Sequence, residues 1–128
     1  MDKAQVDRWL DAYVSAWKSY DPEEIAALFT EDVVYRYHPY DPPVEGRDAV
    51  VESWLGEGDH EGASARDKPD TYDATYRTVA VDGDVAVATG TSTYTDPARV
   101  FHNCMVIRFD GDGRCRDYVE WYMQQPDR

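Results

Sequence analysis

Cysteine is scarce in this chain. Cys104 and Cys115 are the only two in 128 residues, too few for a disulfide framework or a four-thiolate zinc site. Nor do they suit a bridge to each other. If RFDGDGRC is a hairpin turn, Cys115 faces Arg108 and Cys104 lies four residues along the partner strand, roughly 13 Å away at ~3.3 Å per residue. A disulfide needs its Cα atoms within about 7 Å, so two free thiols in a reducing compartment are expected. Histidine is equally sparse. His38, His60 and His102 show none of the short spacings of a zinc motif, and neither a metal nor another cofactor is expected. A GxSxG elbow, a phosphate-cradling glycine loop and a dinucleotide fingerprint are all missing, which removes support for covalent hydrolase and nucleotide chemistry.

Positive charge is also in short supply. Thirteen Lys and Arg stand against 26 Asp and Glu, a net charge of -13, so the surface repels polyphosphates and nucleic acid is not an expected partner. With no basic run, an anionic membrane surface is disfavoured by the same electrostatics. No apolar stretch approaches the ~20 residues of a membrane span, and MDKAQVDRW has no apolar core of a signal peptide. The expectation is a cytoplasmic protein. What the chain does have is 42% hydrophobic residues, with ten tyrosines, four tryptophans and three phenylalanines, enough for one core and one domain over residues 1–128.

Asp2 and Gln5 stand in capping-box spacing before a helical stripe of Val6, Trp9, Leu10, Tyr13, Ala16 and Trp17. A second helix starts with Asp21 as N-cap and Pro22 at its first position and is expected to end near Thr30. VVYRYH, residues 33–38, reads as a strand, stopped by PYDPP. Gly46 precedes a short third helix through Val50, Trp54 and Leu55. The polar segment 56–70 reads as a long loop, mobile or functional. From Thr71 the pattern becomes four strands broken by DGD, TDPAR and DGDG, an antiparallel meander. The predicted order is ααβαββββ, an α+β domain with its core in residues 4–123 and a tail at 124–128.

Alternation along the last strand puts Tyr118, Glu120 and Tyr122 on one face and Val119, Trp121 and Met123 on the other. Neither face suits plain solvent. One is expected to meet the helices and the other a second subunit, giving a homodimer. Pairing across DGDG sets Asn103 opposite Glu120 and Met105 opposite Tyr118.

The element order, together with ALFTEDVVY, VEGRDAV after a proline-bearing loop and RFDGDGRCRDYVEWY, resembles the nuclear transport factor 2-like superfamily, nearest its SnoaL-like and ketosteroid-isomerase-like branches. The resemblance spans residues 4–123 and implies a cone-shaped curved sheet wrapped on three helices, with a central, largely apolar pocket and frequent dimers. Carried over by position, the ketosteroid isomerase pattern has a helix-one tyrosine that donates to an oxyanion, matched by Tyr13 in AYVSAW. Its aspartate base before the proline loop is replaced by Tyr37, with His38 and Asp41 nearby. Its oxyanion-hole aspartic acid is replaced by Met105. That chemistry needs both carboxyl groups, so the same mechanism is not expected here.

Glu120 is then the leading candidate, since a carboxylate on an aromatic inner face can act as acid or base near neutral pH. The bland alternative is a structural carboxylate held by Asn103, a tyrosine or an arginine. His38 could shuttle a proton beside Tyr37, or simply be a strand-end histidine satisfied by Asp41. Tyr13 and Tyr37 complete the catalytic candidates. Trp17, Tyr35, Trp54, Thr89, Asn103, Met105, Tyr118 and Tyr122 are the candidate ligand contacts; buried tyrosine hydroxyls need partners, which favours a pocket over a plain core. Two functions follow. One is a cofactor-free isomerase, cyclase or dehydratase acting on a small apolar, oxygenated molecule; the other is a non-catalytic binding or accessory protein of the same fold. A dimeric interaction module with an incidental pocket is a third.

Overall fold

The computed structural model describes residues 1–58, 60 and 66–127. Three helices and six strands follow in the order α1 (Lys3–Ser19), α2 (Pro22–Ala26), β1 (Phe29–Arg36), β2 (Val44–Glu45), α3 (Arg47–Trp54), β3 (Tyr72–Asp82), β4 (Val85–Thr95), β5 (Ala98–Phe109) and β6 (Cys115–Gln124). The capping box at Asp2 and Gln5 forms with both bonds at 2.8 Å. Asp21 caps α2 through the Glu23 amide.

Two expectations need correction here. First, α2 stops at Ala26 rather than near Thr30. The Leu28 carbonyl is committed elsewhere, accepting from the Cys115 amide at 2.8 Å and the Trp9 indole at 3.1 Å. Those bonds pull Phe29 into the sheet, and tertiary pairing overrides local helix propensity. Second, the order is ααββαββββ. Directly after Pro43 the chain turns back as β2, whose Val44 pairs with Tyr35 of β1. Two residues are too few to show a period.

The strands form one mixed sheet in the order β2-β1-β6-β5-β4-β3, with β1 parallel to β6 and the meander antiparallel. Bulges interrupt β3 between Thr78 and Ala80 and the β5–β6 pair at Arg108 and Phe109. Such insertions bend and twist a sheet, and the result here is a curled, unclosed surface around the helices. Its inner face packs on Val6, Leu10 and Tyr13 of α1 and on Val50 and Trp54 of α3.

The register across DGDG differs from the expected one by two residues. Cys115 pairs with Phe109 rather than Arg108, and the bulge leaves Arg116 between the pairs Phe109–Cys115 and Arg108–Asp117. Met105 therefore faces Glu120, Asn103 faces Tyr122 and Ile107 faces Tyr118. Two shifts of one restore parity, so every side chain keeps its expected face. Cys104 and Cys115 are both free thiols. Residues 124 and 125 are not a loose tail: Gln124 ends β6, and the Gln125 amide donates to the Val100 carbonyl at 2.7 Å. No helix among the described residues is long and apolar enough to cross a membrane.

The β4 strand divides residue sizes by face. Ala86, Ala88, Gly90 and Ser92 point inward, while Val85, Val87, Thr89 and Thr91 point outward. Small residues on the concave side leave room for the helices and the pocket. At Gly90 the room is already used: a Cβ there would meet the Thr75 carbonyl oxygen and the Tyr76 side chain. Gly90→Val is therefore expected to cost about 2 kcal/mol, several degrees of melting temperature. Gly111→Ala, where an added Cβ meets nothing within 4 Å, serves as the control. Equal melting temperatures for the two variants would contradict the close approach at Gly90.

Candidate functional site

The inward face of β5 reads Arg99, Phe101, Asn103, Met105, Ile107 and Phe109. Polarity decreases along it from one end of the sheet to the other. Met105, Ile107 and Phe109 are at most 1% exposed and belong to the core. Above them the same face borders a cavity of about 290 Å³, at the small end for a ligand pocket. Tyr13 from α1, Tyr35 from β1, Trp54 from α3 and Tyr76 from β3 are its buried lining, with Ser92 and Asn103 beside them. Trp17, Tyr20, Asp67, Tyr94, Arg99, Phe101 and Tyr122 also line it and are less buried, forming the rim.

Glu120 lies on the cavity wall and is held by two donors. The Asn103 amide nitrogen donates to its Oε2 at 2.7 Å, and the Tyr118 hydroxyl donates to its Oε1 at 2.6 Å. The amide is fixed in turn, because Ser92 donates to Asn103 Oδ1 at 2.9 Å and Tyr76 reaches Ser92 at 2.6 Å. On the other side, Tyr118 lies 3.2 Å from the Tyr13 hydroxyl, and Tyr13 lies 2.8 Å from that of Tyr35. Tyr118 has one proton to share between Glu120 and Tyr13. The shorter bond to an ionised carboxylate takes it, since charge-assisted bonds are the stronger.

Burial pushes the Glu120 carboxyl above its ordinary value, against the two hydrogen bonds and the nearby His38, which act to lower it. The tyrosines move the same way. Burial first, then the charge of Glu120, raises Tyr13, Tyr76 and Tyr118. Tyr37 is pushed up to about 12 by burial, with its bond to Ser53 opposing. These phenols are proton donors over the whole physiological range and not bases. The cavity therefore sets a carboxyl raised by burial among hydroxyls that keep their protons.

The structure brings Glu120, Tyr13, Tyr37, Trp17, Tyr35, Trp54, Asn103 and Tyr122 to this one cavity. Four other candidates fall elsewhere. Met105 is fully buried beneath it, and Tyr118, 1% exposed, stands behind the lining, in contact with Glu120, Tyr13 and Tyr35. Thr89 is exposed on the outer face, one residue out of phase with the inward Ala88 and Gly90. His38 pairs with Asp41 at 2.7 Å, stacks on Tyr40 and lies tilted against Tyr122, outside the lining. His102 is on the outer face, bonded to Gln125. The Trp54 indole N–H is buried with no hydrogen-bond partner among the described residues, its ring standing edge-on to Tyr13.

Residues that the sequence reading passed over include Ser92, Tyr94, Arg99 and Phe101. Alternation back from Asn103 would have reached Arg99 and Phe101. Ser92 and Tyr94 lie on the face of β4 opposite Thr89, the candidate contact on that strand, so choosing Thr89 left them out. Asp67 had no local signal; its carboxylate accepts from the Trp17 indole at 3.1 Å and the Tyr20 hydroxyl at 3.4 Å, a contact across 50 residues. Asp59 and residues 61–65 of the polar segment 56–70, expected as a long loop, lie outside the described residues.

Solved structures share this architecture at low identity. A candidate ketosteroid isomerase from Kribbella flavida is 20% identical over 99% of this chain and 84% of its own, with a TM-score of 0.69. A nuclear transport factor 2-like protein of unknown function from Burkholderia xenovorans is 13% identical over 98% and 88%, with a TM-score of 0.70. An epoxide hydrolase of the LEH-like type from M. tuberculosis is 16% identical over 94% and 84%, with a TM-score of 0.66. At these identities the likeness shows the fold alone. Curated protein sequences give no significant match. The SnoaL-like domain model matches residues 10–118, most of the chain, and the protein belongs to the SnoaL-like domain family.

Proposed function

We propose that the cavity binds a small, largely apolar, oxygenated molecule and that Glu120 moves a proton on it, in a cofactor-free isomerisation, cyclisation or dehydration. The observation that carries this reading is a carboxylate raised by burial on the wall of a tyrosine-lined cavity. General acid–base catalysis works best when the group's ionisation lies near the working pH. In the isomerisation form, Glu120 takes a proton from the carbon beside a carbonyl. The C–H electron pair moves into an enolate, and the proton returns at a conjugated carbon, so nothing is consumed.

The hydroxyl network supports such a cycle. Once Glu120 is protonated it no longer needs the Tyr118 proton, which can turn to Tyr13 at 3.2 Å. Tyr37 is the phenol best able to serve the developing enolate oxygen. Its partner Ser53 already donates to the Val50 carbonyl at 2.9 Å, so turning Tyr37 toward a ligand strands no buried proton.

A substrate-independent test is deuterium exchange at the acidic C–H of 2-tetralone, an enolisable bicyclic ketone, followed by proton NMR in deuterated buffer. The wild type is expected to accelerate exchange over buffer, and Glu120→Gln to lose about 10²–10⁴-fold of that acceleration. Equal rates for wild type and variant would remove Glu120 from the chemistry. A tightly bound ketone that never exchanges would favour the non-catalytic binding protein.

Burial of Glu120 also sets a pH dependence of stability. Its folded-state ionisation lies above the unfolded one, so between the two the folded state holds more protons and stability falls as pH rises. Below the unfolded value, near 4.5, this contribution is fully present; it is lost as pH climbs through the folded value. The melting temperature of wild type relative to Glu120→Gln should therefore decline on going from pH 4 to neutral. A difference that stays flat, or grows, would contradict a carboxylate raised by burial.

The same reading takes the outer face of β4, β5 and β6 as the contact with a second copy of the chain. Trp121 and Met123 are 44% and 72% exposed there, with Val106 paired to Val119 beside them. Light scattering on the purified protein should give twice the chain mass, and Trp121→Glu should halve it. A monomeric wild type at micromolar concentration would overturn the assignment.

A further inference from the structure

Arg99 is a charged residue on the inward parity of its strand, in line with Phe101 and Asn103 and facing Tyr94 of β4. It is the one basic residue among the sixteen lining the cavity. Its guanidinium lies 4.6 Å from the Tyr94 ring centroid and 6.0 Å from that of Phe101. Its sole hydrogen bond among the described residues is a long one, from Nε to the Pro97 carbonyl at 3.4 Å. Among the described residues no carboxylate lies within ion-pair distance, although the chain carries 26 acids. The two acids of the lining are committed elsewhere, Asp67 to Trp17 and Tyr20 and Glu120 to Asn103 and Tyr118.

We infer that Arg99 is the anion-recognition residue of the cavity, and that the ligand is a flat acid whose carboxylate meets Arg99 while its far end reaches Glu120. This rests on the cavity being a ligand site, as proposed above, and narrows its ligand to one chemical class. A guanidinium held over an aromatic ring is restrained without its hydrogen-bond donors being used, which leaves them for a planar carboxylate. A protein of net charge -13 repels anions over most of its surface, so a cation at the rim with no carboxylate partner among the described residues dictates where an acidic group can sit and hence which way the ligand enters.

The spacing sets its length. Arg99 and Asn103, the partner of Glu120, are four residues apart on β5, roughly 13 Å at ~3.3 Å per residue. With side chains reaching inward from both ends, the span suits two or three fused rings. Phe101, Tyr122 and Tyr94 form aromatic walls between those ends, which suits a flat ring system by stacking.

The test uses the full chain and two probes, a hydroxynaphthoate with its hydroxyl and carboxylate at opposite ends and the matching hydroxynaphthamide, titrated by calorimetry. The acid is expected to bind at least about tenfold more tightly than the amide, and added salt should weaken the acid alone. Arg99→Gln should abolish the preference while leaving the amide affinity unchanged. Arg99→Lys, which keeps the charge but not the fork, should retain part of it. Melting temperatures of both variants should match the wild type, as Arg99 lies at the start of a strand on the rim. Acid and amide binding alike, an acid preference that survives in Arg99→Gln, or equal losses for both probes would overturn the anion assignment while leaving the cavity a ligand site. Binding of neither probe at millimolar concentration would overturn the ligand site itself, and the assignment with it.

Discussion

A carboxylate facing the inside of a domain must be hydrogen-bonded or neutralised, because water solvates it less than at the surface. Glu120 is that carboxylate, and much of the upper half of this fold is arranged around it. Its two oxygens take donors from Asn103 and Tyr118, and each donor is positioned by a further hydroxyl, Ser92 on one side and Tyr13 on the other. These residues come from α1, β4, β5 and β6, so the network ties together elements that are distant in the chain. Tyr35 stacks on Tyr118 with ring centroids 4.5 Å apart and extends the tie to β1. Hydrogen bonding has not cancelled the cost of burial, and the residual cost is the raised ionisation of Glu120.

The geometry of the sheet makes this arrangement affordable in space. Alanine, glycine and serine on the inner face of β4 let Tyr76 and Asn103 approach from its two neighbours. Larger residues there would fill the volume the tyrosines and the cavity occupy. The outer face of the same strand takes the β-branched residues that pack on a convex surface. One strand thus leaves room for the cavity and, through Ser92, supplies the hydrogen bond that fixes Asn103 against Glu120.

Most of the architecture was legible because it follows from short-range signals. Capping residues, prolines and glycines placed the helices and the meander, and alternation placed Glu120, Tyr118 and Tyr122 together. What escaped was set by tertiary contact. The end of α2 depends on Cys115 and Trp9 claiming the Leu28 carbonyl, and β2 exists only because β1 is there to pair with it. Thr89 was misplaced for a different reason: alternation fixes which residues share a face, not which face is inside. A strand of alanines and valines reads as buried on its valine side unless the curvature of the sheet is known. Ser92 follows at once when that choice is reversed.

The tyrosine-rich lining bears on the division of labour in the site. A cavity of leucines around Glu120 would raise its ionisation further but would leave its oxygens without donors, and the group would stay neutral and inert. A cavity of basic residues would lower it into the ordinary range and weaken it as a base. Phenols are intermediate: each removes water, as an apolar ring does, and yet returns one hydrogen bond. Because the phenols themselves are pushed up by burial and by the charge of Glu120, they do not compete with it as the base of the proposed reaction. The same reasoning explains why the single cation stands at the rim. Placed beside Glu120, Arg99 would pin it as an ion pair and oppose the proton transfer proposed above; in the structure it is held on Tyr94 instead.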